Sequence, residues 1–146
     1  MFTEQQRLTV NHKRERARLN PACVVCGSTN RKGLRISFQQ RPDAIFADWT
    51  PSEDWESFQG TIHGGIISTV LDEAMSKAII ARDWEALTAD LRVRFRRPVS
   101  PGERLEVRGW VIDRQRRKIL AEATLTTATG EERAHAWATF LVPPGS

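Results

Sequence analysis

No stretch of this sequence holds the roughly 20 consecutive apolar residues that a membrane-spanning helix needs, so no membrane partner is expected. The opening segment, "MFTEQQRLTVNHKRERARLN", lacks the apolar core that marks a secretory signal, and a cytoplasmic location is the expectation. Cysteine is scarce, with two residues in "CVVCG" at 23–27. A CxxC can be half of a zinc site or a redox pair. Zinc asks for two further ligands, and there is no second CxxC and no HxxxH. The three histidines, His12, His63 and His135, stand singly. Cys23 and Cys26 are therefore read as small residues in a turn, and neither a metal nor a cofactor is expected. Internal repeats and low-complexity segments are also lacking.

What is present is an ordinary soluble composition, 40% hydrophobic and 27% charged over 146 residues, which suits one domain. The net charge of +4 favours anionic partners, whether nucleic acid, a phosphorylated ligand or acidic lipid. That charge is uneven: "RVRFRRP" (92–98) and "RQRRK" (114–118) are dense in arginine, while 43–57 is acidic.

Along the chain, residues 1–19 read as a peripheral helix or partly ordered arm, and 20–146 as one domain. A Pro-, Gly- and Asn-rich loop fills 20–33. Alternation of Leu34, Ile36 and Phe38 with polar residues predicts a strand over 34–40, and "AIFADW" (44–49) predicts its partner. After a loop at 50–60, apolar residues recur every four positions as adjacent pairs from Ile66 to Ile79, predicting a helix from Gly64 to about Arg82. Four alternating runs follow: 91–98, 104–112, 118–126 and 133–142. One helix with so wide an apolar face must be covered by sheet. The expected class is α+β, an antiparallel sheet of about six strands curled around one long helix.

The helix begins "HGG", at His63, Gly64 and Gly65. The first N–H groups of a helix lack intrahelical acceptors and carry the positive end of its dipole. Glycine there leaves the amide open to an anion or a polarised carbonyl; taken alone, the glycines are read more simply as a tight turn at positive φ. Asp72 falls at the edge of the apolar stripe beside Ser68 and Ser76. On a helix enclosed by sheet, that flank is expected to face a cavity or an interface; an ordinary surface position would accommodate Asp72 equally well.

"TIHGGIISTVLDEAMSKA" with "TADLRVRFRRPVSPGERLEV" resembles the hotdog-fold acyl-CoA thioesterases of the PaaI type. Those proteins carry His-Gly-Gly, an acidic residue nine positions after the histidine, and a strand ending in Arg-Pro before a Gly-Glu turn. "CVVCGSTNRKGLRISF" also looks like an N-terminal segment of many members. The resemblance implies a hotdog fold and hydrolysis of an acyl-CoA thioester to a free acid and CoA. Gly64 would lend its N–H to the thioester carbonyl, with Gly65 beside it. Asp72, supplied across a dimer interface by the opposite subunit, would act as general base or nucleophile. Thr88 matches a residue that positions the attacking water in some relatives, and His63 would orient the loop. Where some relatives place an Asn or Gln as a second carbonyl contact, this chain has Ser57, with Gln59 nearby. Arg94, Arg96, Arg97 and the 114–118 cluster are candidates for the coenzyme's phosphates, or a solvated outer face. A homodimer or a tetramer of paired dimers is implied.

Three other readings compete. A hotdog dehydratase would have Phe-Pro rather than Gly-Gly after its histidine. A non-catalytic acyl-CoA-binding module would keep the glycines and dispense with Asp72. A nucleic-acid-binding role rests on the basic strand alone, with little aromatic interleaving, so no specific nucleic-acid partner is expected.

Overall fold

The computed structural model describes residues 20–145, which divide into two compact units at Ile36/Ser37. The arm expected over 1–19 lies outside the described residues.

In the first unit the chain doubles back on its cysteine loop. The amides of Leu34 and Ile36 donate to the carbonyls of Val24 and Val25, both at 2.8 Å. Between them Arg35 takes φ 54, so the extended conformation is interrupted. The strand expected over 34–40 is therefore realised only as β1 (Gln39–Gln40), because the backbone groups of 34–36 are used locally. Gly27 closes the loop where a Cβ would lie 2.4 Å from the Cys23 nitrogen. Cys23 and Cys26 are not joined as a disulfide.

The second unit contains β2 (Ile45–Trp49), one helix α1 (Gly64–Ile80), and the strands β3 (Leu87–Phe95), β4 (Leu105–Gln115), β5 (Lys118–Thr127) and β6 (Glu132–Leu141). The helix stops two residues before the expected Arg82, where Asp83 adopts φ 60. The sheet has six strands in the order β1-β2-β4-β5-β6-β3, every neighbouring pair antiparallel. Short turns join the last strands: Arg116 at φ 56 lies between β4 and β5, and Gly130 at φ 87 between β5 and β6.

Every second residue of the central strands points at α1 and is buried, including Val107, Ile119, Ala121, Ala123, Leu125, Ala134, Ala136 and Phe140. The helix answers with Ile67, Val70, Leu71, Ala74, Met75, Ala78 and Ile79, all buried. Gly109 on β4 lets the two layers approach, since a Cβ there would lie 2.5 Å from the Ala74 carbonyl oxygen. This is one long helix laid in an antiparallel sheet, as the hydrophobic periods predict. No helix among the described residues is long and apolar enough to cross a membrane.

Candidate active site

The start of α1 is fixed from both sides. His63 is the N-cap, extended at φ −60 and ψ 130, and its Nδ1 accepts the Gly65 N–H at 2.8 Å. The imidazole therefore keeps that nitrogen unprotonated and carries its proton on Nε2. His63's own amide donates to the Trp55 carbonyl, and Ile62's to that of Val99, each at 2.8 Å. The capping hydroxyls of ordinary helices are thus replaced by a histidine ring.

The two glycines have different tasks. Gly65 gives its N–H to His63, and a Cβ on it would sit 3.0 Å from the ring. Gly64 has no hydrogen-bond acceptor for its N–H among the described residues, so this amide is open at the positive end of the helix. Neither glycine has positive φ, so the tight-turn explanation does not apply. A Cβ on Gly64 would instead meet the Phe95 ring at 3.4 Å. Phe95, on β3, is half exposed and walls the same spot. It was not among the expected site residues; its inward position in the alternation of Leu91, Val93 and Phe95 is the signal that could have found it.

Asp72 lies two turns further along α1, half-buried, and its Oδ1 accepts the Thr88 hydroxyl at 2.8 Å. Burial pushes its pKa up, the Thr88 hydrogen bond pulls it down, and the neighbouring Glu73 charge pushes it up again; the net direction is upward. Glu73 is itself paired with Lys77 at 3.8 Å, one helical turn on. Thr88 reaches Asp72 only because β3 is irregular. Leu91, Val93 and Phe95 pair with the buried Ala138, Ala136 and Ala134, so even-numbered β3 residues face away from the helix. The register then slips between Thr88 and Asp90, and Thr88 pairs with buried Phe140. A bulge at Ala89 thus turns Thr88 to the helix side.

Ser57 and Gln59 occupy an exposed turn just before the helix, closed by an isolated bridge between Glu56 and Ile62 and by Ser57 N–H donating to the Thr61 carbonyl at 2.9 Å. The side chains of both lack hydrogen-bond partners among the described residues. The arginines are matched with groups of β6 and the turn before it. Arg94 pairs across strands with His135 on the face turned away from α1, Arg96 is bonded to Glu132, and Arg97 reaches Glu131 at 3.2 Å. The structure thus brings together His63, Gly64 and Gly65 at one place, and Asp72 with Thr88 at another. Eight residues at 1.5 Å rise separate Gly64 from Asp72 by about 12 Å along the axis.

The sequence profile of the thioesterase superfamily matches residues 59–134. A crystal structure described as a thioesterase superfamily protein is similar over 83% of this chain and 60% of its own, at 23% identity and TM-score 0.80. This chain therefore spans less than two thirds of that protein's length. Zebra fish thioesterase superfamily member 2 is similar over 98% of this chain and all of its own, at 17% identity and TM-score 0.72. A Streptococcus mutans UA159 protein bound to acetyl CoA is similar over 74% and 88% of the two chains, at 19% identity and TM-score 0.70. At these identities the likeness concerns the fold, which is that of the hotdog thioesterases. None of the curated proteins compared matches this chain.

Proposed function

This chain belongs to the thioesterase superfamily, and from that premise we propose that it is an acyl-CoA thioesterase of the PaaI type whose site is shared between two copies. The observation that carries the reading is the open Gly64 N–H at the helix start, paired with an Asp72 whose pKa is raised. Within one chain these groups are too far apart to act on one thioester, so a second copy must supply Asp72. The long outer edge of β3, which has no strand partner among the described residues and carries Thr88 at one end and Phe95 at the other, is where the copies join.

In the reaction the thioester carbonyl oxygen accepts the Gly64 N–H, and the negative charge that develops there is stabilised by a donor already in place. Ionised Asp72 of the second copy either takes a proton from water as that water attacks the carbonyl carbon, or attacks it directly to give an anhydride that water then opens. Either way the C–S bond breaks, the thiolate leaves and picks up a proton, and the products are a carboxylic acid and CoA. Thr88 holds the carboxylate, and Ser57 or Gln59 gives a second contact to the carbonyl. His63, accepting through Nδ1, positions the donor loop and Gly65. Arg94, Arg96 and Arg97 are the candidates for the coenzyme's phosphates; the last two would exchange Glu132 and Glu131 for the ligand. A cytoplasmic setting suits such a substrate.

The test is thiol release from a panel of acyl-CoA esters, short, long and aromatic. Saturable turnover that is lost in Asp72→Asn is the expected result. Tight binding of the esters without turnover would replace the enzyme with an acyl-CoA-binding module, and neither binding nor turnover would overturn both.

A further inference from the structure

The side chains of β3 select how a second copy adds to it. In a two-fold antiparallel pair one residue lies opposite itself, and directly opposed residues share a face. On the face away from α1, β3 carries Asp90, Arg92 and Arg94. Arg92 is turned back over its own Trp137, with the guanidinium carbon 5.2 Å from the ring centre. Asp90 and Arg94 have no ion-pair partner among the described residues. On the helix side Leu91 and Phe95 remain 39% and 50% exposed, so apolar surface there awaits a cover.

Resting on the dimeric reading above, we propose that two chains pair β3 to β3 with Arg92 on the two-fold axis. Asp90 of each copy then faces Arg94 of the other, which joins the two charges that lack partners and leaves Arg96 and Arg97 as the candidates for the coenzyme's phosphates, and Leu91 faces Val93 on the apolar side. Beyond the Ala89 bulge Thr88 comes opposite Phe95 of the second copy. Gly64, which that ring walls, is thereby delivered to Asp72. The neighbouring registers do less. Centring on Leu91 sets Asp90 against an Arg92 already engaged by Trp137, and centring on Val93 opposes Arg92 and Arg94 twice, a like-charge clash. In the favoured register the one like pair, Arg92 with itself, is relieved because both side chains lie back on their tryptophans.

Cysteine cross-linking in a Cys23→Ser/Cys26→Ser background tests the register. Directly opposed Cα atoms are about 4.5–5.5 Å apart, within disulfide reach, whereas diagonal ones at about 7–8 Å are at or beyond its limit. Arg92→Cys should give a covalent dimer on mild oxidation. Leu91→Cys and Val93→Cys should link poorly alone and well when mixed. In sedimentation, Asp90→Arg and Arg94→Asp should each weaken the dimer roughly tenfold, and the double variant should restore it. Self-linking of Leu91→Cys, rescue of Asp90→Arg by Arg92→Asp instead, or a monomeric wild type would overturn the proposal. Thiol release is read separately: an active dimer linked through another position removes only the register, and an inactive dimer linked through Arg92→Cys removes only the catalytic reading.

Discussion

β6 and β3 lie side by side and read alike in sequence, apolar at every second position, yet they end in different surroundings. Ala134, Ala136, Ala138 and Phe140 of β6 are buried, while no residue of β3 is. β6 has a strand on each side and the helix over it; among the described residues β3 has a strand on one side only. Alternation reports which face of a strand is apolar. Whether that face is covered within one chain depends on the strand's place in the sheet. In this protein the uncovered strand carries Thr88 and Phe95, the two β3 residues that touch Asp72 and the helix start. Core and site are built from one sequence pattern at different positions in the sheet.

The largest effects are expected at the site, with the fold intact. Asp72→Asn and Gly64→Pro should each lower kcat/KM for acyl-CoA by about 10²–10⁴-fold, the usual worth of a positioned base or an oxyanion donor. Proline is tolerated as the first helical residue, and His63 at ψ 130 already has the extended conformation a following proline requires. That substitution therefore removes the amide, and its one other consequence is a ring set against Phe95. A folded-state pKa raised above the unfolded value means that the Asp72 charge destabilises the fold at neutral pH and ceases to do so on acidification. Asp72→Asn should accordingly not lower the thermal midpoint near pH 7, and a clear drop would show that the carboxylate holds the structure together.

Next comes a direct contrast of the two strands. Phe140→Ala should cost about 3–5 kcal/mol in urea unfolding, as for any fully buried phenylalanine. Phe95→Ala, measured at low protein concentration, should stay within about 1 kcal/mol of wild type. Equal losses would mean that β3 is as much part of the core as β6. A smaller effect belongs to the layer contact: Gly109→Ala places a methyl against the Ala74 backbone and should destabilise by about 1–3 kcal/mol.

The smallest effects lie in the pH profile. Turnover that needs ionised Asp72 should fall on acidification at a pH above that of an ordinary aspartate. Thr88→Val removes the one influence that lowers this pKa, so the acid limb should move to higher pH. Glu73→Gln removes a charge that raises it, so the limb should move to lower pH. Limbs that stay in place would detach the profile from Asp72.

The hydrophobic periods were enough to read the helix and the four long strands, but not the sheet order: the turn signals suggested a meander, whereas β3 lies beside β6 and not beside β4. Two features were not legible because they depend on hydrogen bonds rather than on period. The segment 34–36 alternates like a strand but spends its amides on the cysteine loop, with Arg35 at positive φ between them. The Ala89 bulge has no glycine or proline to announce it, and strict alternation would send Thr88 to the wrong face. In the site, His-Gly-Gly and the aspartate were visible as spacing. The division of labour, with Gly65 capped by His63 and Gly64 left open, follows only from where the imidazole turns.

The proposed reaction requires that two chains complete each site. Mixing unfolded Gly64→Pro and Asp72→Asn chains, refolding them together and assaying thiol release tests it most directly. A shared site predicts that variants inactive alone regain roughly a quarter of wild-type activity, since about half the dimers are mixed and each mixed dimer holds one intact site. No recovery, with mixed dimers present, would contradict it.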